Sequence, residues 1–135
     1  QFYVGSSRGL MLLDRKTGKV RDLAHQPRED NLYRNWIMAL LLEGPDKRHL
    51  LVGSGAGVDR LDTETGAFTA LKLRQDSTEV EPHVMSFLRS RDSTLWIGTM
   101  QGLFRIDKEG SSSLASAYNA RDTTTISNNY ISGIL

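Results

Sequence analysis

Cysteine is absent from the 135-residue chain, which excludes a disulfide framework and a thiolate zinc site. Histidine is scarce. His25, His49 and His83 fall at unrelated positions, with no His-x-x-x-His spacing and no acid at ligand distance, so no metal site is expected. Charge of one sign is missing as well: seventeen Lys and Arg stand against sixteen Asp and Glu, a formal net charge of +1. That balance leaves no electrostatic footprint for nucleic acid or an anionic membrane. No apolar run approaches the roughly 18 residues of a spanning helix. The chain opens on a strand pattern without a basic-then-apolar leader, so a signal or an anchor would lie outside this stretch. No serine sits in a nucleophile elbow. Neither a catalytic residue nor a cofactor is expected.

What the chain does have is glycine at fixed intervals. With Gly5, Gly53 and Gly98 as origins, a second glycine follows at +4 (Gly9, Gly57, Gly102). Aliphatic residues follow at +5 (Leu10, Val58, Leu103) and at +8 (Leu13, Leu61, Ile106). Aspartate stands at +9 (Asp14, Asp62, Asp107), and a further glycine closes the next turn (Gly18, Gly66, Gly110). The origins are 48 and 45 residues apart. This is a repeat protein, and periods of that size belong to solenoids and propellers.

Each copy reads as a pair of short strands about a tight turn, clearest in LWIGTMQGLFRID, Leu95 to Asp107. Glycines that bracket the turn supply backbone freedom. A weaker strand follows, marked by Val20 and Leu23, by Phe68 and Leu71, and by Leu114 and Tyr118. Polar stretches come next: Ala24 to Arg34, Lys72 to Pro82, and a third rich in Arg, Asp and Thr. Each reads as a surface loop. Apolar runs then appear at Trp36–Leu42, Val84–Leu88 and Tyr130–Leu135, and their length and flanking turns favour strands. Four antiparallel strands per repeat make the blade of a β-propeller, with the apolar run innermost.

The expected fold is therefore all-β: a β-propeller fragment of about three four-stranded antiparallel blades, one partial domain over 1–135 with repeats near 1–48, 49–93 and 94–135. The chain begins at strand two of one blade and ends after strand one of another. Propellers close with roughly four to eight blades, so the chain reads as an arc of a larger domain. Exposed edges at either end invite strand exchange. Tyr130–Leu135 of one copy pairing with Phe2–Gly5 of another would give a homodimer that closes a ring.

LWIGT (Leu95–Thr99), GLFRID (Gly102–Asp107) and NNYISGI (Asn128–Ile134) resemble the two-component regulator propeller repeat. That repeat runs apolar inner strand, D-x-x-G turn, LWIGT, GL-x-R-x-D, then G-x-F-x-x-Y. The third copy is nearest the pattern and the first, FYVGSSRGLMLLD, diverges from it. The resemblance implies a periplasmic sensory region of a membrane-bound, often hybrid, histidine kinase of gut Bacteroidetes, several of which respond to oligosaccharides. It implies a non-catalytic segment in signal transduction, other blades of the parent as neighbours, and no membrane contact by the segment itself. A protein-interaction scaffold is a second reading, although the GH and WD dipeptides of such propellers are missing. A propeller lyase is a third, but no His and acid cluster supports it. Fold alone separates none of these.

Several motifs have plain structural explanations. GSGAG (Gly53 to Gly57) precedes a strand pattern, whereas a phosphate loop should open a helix. The aspartate column fits turn formation. Trp96 aligns with Tyr3 and Leu51, which makes it a packing residue worth about 3–5 kcal/mol if buried. Ligands of propellers commonly meet the loops leading into strand one and the turns between strands two and three. Those places hold Arg34, Asn35 and Trp36, then Glu81, Pro82 and His83, then Asn128, Asn129 and Tyr130, with Arg8, Ser54, Met100 and Gln101 on the turns. Trp36 and Tyr130 offer rings to stack on a sugar. Arg34, His83 and Asn129 offer polar groups for hydroxyls or a uronate. Loops carry such roles more often than cores do.

Overall fold

The computed structural model describes residues 1–23 and 35–135. The Ala24–Arg34 loop, with the candidate Arg34, lies outside them. The described elements are all β-strands. The first sheet holds β1 (Phe2–Ser6), β2 (Gly9–Leu13) and β3 (Val20–Leu23) in sequential antiparallel order. The second holds β4 (Ile37–Glu43), β5 (His49–Ser54), β6 (Gly57–Asp62) and β7 (Phe68–Leu71). A small hairpin follows, β8 (Leu73–Gln75) and β9 (Thr78–Val80). The last sheet holds β10 (Val84–Arg89), β11 (Leu95–Thr99), β12 (Gly102–Ile106) and β13 (Ser112–Ser116). These are successive four-stranded blades of a propeller fragment, the first carrying strands two to four.

The repeat columns assign every blade face. In β5, Leu50 and Val52 join a core with Leu10, Ile37 and Leu61, between the first and second sheets. Leu51, one residue out of phase, joins Val58, Leu73, Val84, Leu95, Ile97 and Phe104 between the second and third. Side chains alternate faces along a strand, so a sheet buried on both sides reads as an unbroken apolar run. The middle sheet is in that position. Trp96, the counterpart of Leu51, points away from the second sheet and is only half-buried. Its truncation is therefore expected to cost less than the full value for a buried ring.

Glycine at the origin column serves close approach, not turn dihedrals. A Cβ on Gly5 would lie 2.6 Å from Ile37 Cγ2, on Gly53 2.5 Å from Val84 Cγ1, and on Gly98 2.8 Å from Ile131 Cγ2. Each origin glycine is the seat for the first residue of the inner run that follows it. The turn role belongs to the +4 column, where Gly9, Gly57 and Gly102 have φ of 131°, 88° and 128°.

Three further expectations are corrected. Lys72–Pro82 is not simply a loop: it contains the β8–β9 hairpin, and Leu73 is 1% exposed. Tyr118 lies beyond β13. Tyr130–Leu135 forms no ladder, although Ile131 N–H donates to Thr99 O at 2.9 Å and seats on Gly98. An inner strand is stitched by the strand after it, as β4 is by β5, and this run has no such partner among the described residues.

The sheets are also tied by polar contacts. Glu43 accepts from Arg60 Nε at 3.0 Å and from Arg89 Nη2, joining the second sheet to the third. Ser112 Oγ donates to Lys72 O at 2.9 Å, holding the lead-in to the hairpin against β13.

Candidate functional site

Three lead-ins and three turns make one edge of the sheets. The turns are Ser7–Arg8, Gly55–Ala56 and Met100–Gln101, two residues each between paired strands. A hydroxyl just before each turn fixes its shape. Ser6 Oγ donates to Gly9 O at 3.1 Å and accepts from Arg8 N. Ser54 Oγ accepts from Ala56 N at 3.1 Å. Thr99 Oγ1 donates to Gly102 O at 2.7 Å and accepts from Gln101 N at 3.0 Å. This hydroxyl column, one residue after each origin, is a signal the sequence carries but that the glycine and aspartate columns overshadow. It also removes Ser54 from the ligand candidates, since that side chain is fully buried and internally bonded.

The lead-ins are stitched to the turns. Gly55 N–H donates to Trp36 O at 3.1 Å, Gly57 N–H to Pro82 O at 3.0 Å, and Met100 N–H to His83 O at 2.9 Å. Trp36, His83 and Tyr130 occupy equivalent places, one before the residues Ile37, Val84 and Ile131 that seat on the origin glycines. The rings of Trp36 and His83 meet edge to face, centroids 5.5 Å apart and planes at 73°. That geometry suits the aromatic quadrupole. Trp36 keeps 43% of its surface exposed and Tyr130 49%. Gln101 Oε1 accepts the His83 N–H at 2.9 Å, so it joins the same cluster.

The other candidates are more dispersed. Arg8 is exposed at the first turn and Asn35 is half-buried beside Trp36 in sequence. Asn129 Oδ1 accepts from Tyr118 N at 2.5 Å, tying the exit of the third sheet to the last lead-in. The structure therefore brings together Trp36, His83 and Gln101, with Met100 beside them. Among the described residues no hydrogen bond, ion pair or ring contact joins Arg8 or Tyr130 to that cluster.

The aspartate column sits elsewhere, on the turns that follow strand three, and does structural work. Asp14 Oδ1 accepts from Lys16 N and Thr17 N, both at 2.9 Å. Asp62 Oδ1 accepts from Glu64 N and Thr65 N, and Asp107 Oδ1 from Glu109 N and Ser111 N. The Thr65 N–H, with the Arg48 guanidinium behind it, holds the Asp62 carboxyl at about 2, below the ordinary carboxylate range. Among the described residues no three His, Cys, Asp or Glu side chains converge as a metal-ligand group. The GSGAG stretch is a hairpin turn leading into β6.

No protein-family model and no curated protein sequence matches the chain. Solved structures do. Two crystal structures of the extracellular domain of BT4673 from B. thetaiotaomicron, assigned in one to a one-component and in the other to a hybrid two-component system, superpose with TM-scores of 0.77 and 0.75. Both are 18% identical to this chain, and 96% of it is covered. The extracellular domain of BT3049, assigned to a hybrid two-component system of the same organism, gives 0.72 at 18% identity over 98% of the chain. This chain spans 16% of the length of each of those domains. No helix among the described residues is long and apolar enough to cross a membrane. The chain shares the fold of extracellular domains assigned to one- and two-component systems of B. thetaiotaomicron.

Proposed function

We propose that this chain is a non-catalytic segment of the extracytoplasmic sensory region of a two-component sensor, and that its lead-in edge binds oligosaccharide. The observation that carries the binding reading is the Trp36–His83 pair, two rings from the lead-ins of adjacent sheets held in contact while Trp36 keeps 43% of its surface exposed. An exposed aromatic face suits the apolar side of a sugar ring, and polar groups around it fix orientation. Structural neighbours that are extracellular domains assigned to one- and two-component systems support the setting. Binding transmits a signal only if it favours one arrangement of the domains over another. The edge bridges two sheets, so a ligand seated there bears on how they sit together.

The test is a glycan array probed with the full-length protein and with its Trp36→Ala, His83→Ala double variant. The reading expects oligosaccharide binding by the parent and a loss of about tenfold or more in the variant. Unchanged binding in the variant would defeat the placement. An array without a single saccharide hit would defeat the sensor specificity.

A further inference from the structure

The lead-in edge has a polarity of its own. Only the oxygen of a side-chain amide accepts, so an amide that takes a backbone N–H turns its NH2 away. Three amides on this edge are fixed in that way. Gln101 Oε1 accepts from His83 N at 2.9 Å, Asn128 Oδ1 from Tyr130 N at 2.8 Å, and Asn129 Oδ1 from Tyr118 N at 2.5 Å. Each thus commits one of its oxygen's two lone pairs to the scaffold and keeps its two N–H donors. Trp36 contributes an indole N–H, a donor only, and Arg8 a guanidinium, donor only and charged. Among the described residues of these lead-ins and turns, Glu81 is the sole carboxylate. Its stem packs over Gly57, with carbons 3.6–3.8 Å from where a Cβ would stand.

The geometry points to a donor-lined edge that selects an acidic saccharide, one whose uronic-acid carboxylates accept what the edge offers. The inference rests on the saccharide reading above and narrows it. A neutral sugar brings hydroxyls that donate as well as accept, and the side chains of this edge offer more donors than acceptors. A carboxylate brings acceptors only, and hydrogen bonds to an ionised acceptor are roughly twice as strong as neutral ones.

Calorimetric titration of the full-length protein with trigalacturonate and with its carboxyl-reduced galactose counterpart tests this. The acidic trisaccharide is expected to bind about tenfold more tightly. Gln101→Glu retains an oxygen for the His83 N–H but replaces the outward amide with a negative oxygen. It is expected to abolish the preference while leaving the unfolding temperature unchanged. Asn128→Asp, which keeps the Tyr130 N–H bond in the same manner, provides a second variant with the same expected direction. Equal affinity for the two sugars, or an undiminished preference in both variants, overturns the acidic selectivity while the saccharide reading stands. Failure of both sugars to bind overturns the selectivity, and the glycan array then decides the broader reading separately.

Discussion

Gly53 shows how one missing methyl group sets the spacing of two sheets. Its Cβ position lies 2.5 Å from Val84 Cγ1 and 3.0 Å from Phe87 Cζ, both in the next inner strand. Gly53→Ala is expected to destabilise by about 1–3 kcal/mol through overpacking. Because the clash is with a particular side chain, Gly53→Ala with Val84→Ala should cost less than the sum of the two, which a double-mutant cycle reads directly. Asp62 acts differently, through charge. Its carboxyl titrates lower in the folded chain than in an unfolded one, since the Thr65 N–H and Arg48 favour the ionised form. Its stabilisation is therefore complete above the ordinary aspartate value of about 4 and is lost as pH falls toward about 2. Asp62→Asn should flatten the acid limb of a stability-against-pH curve in that window. A limb as steep as the parent's would show that the pairing contributes nothing.

At the scale of elements, much of the architecture was legible because it is periodic. The +5 and +8 columns differ by an odd number and so face opposite sides of a strand. Leu10 and Val58 pack toward the following sheet, and Leu61 and Ile106 toward the preceding one. The β8–β9 hairpin was illegible for the converse reason. Among the described residues it occurs once, and its turn is polar, with Asp76 at φ 55°. Its single buried anchor, Leu73, pairs with Val80 at the open end. Asp tolerates that left-handed geometry, so a polar stretch read as a loop can still turn back on itself. Leu73→Ala is expected to cost about 2–5 kcal/mol and to increase proteolysis within 72–82. A cost below about 1 kcal/mol would mean that the hairpin is not anchored there. The run 130–135 reads as a strand because an apolar pattern predicts burial, while a ladder also needs a neighbour.

For the whole molecule, the consequence of stacking is an edge with a division of labour. Repeat-conserved positions, the seat glycines, the turn hydroxyls and the aspartates, are consumed in holding the sheets. Of the positions that differ from copy to copy, Trp36 and Tyr130 are exposed and His83 is half-buried. The sequence indicated where that edge lies but not which of its residues touch. The Trp36–His83 contact joins the lead-ins of adjacent sheets and the Gln101 bond joins a lead-in to a turn of one sheet, from residues 47 and 18 positions apart. Amide orientation is likewise a tertiary property, visible only once the backbone N–H groups are in place. The most direct measurement is amide hydrogen exchange of the full-length protein, with and without whichever trisaccharide binds more tightly. The account predicts slowed exchange at 35–38, 81–85, 99–101 and 128–131. Protection confined to the opposite turns, 15–18, 63–66 and 108–111, would contradict it.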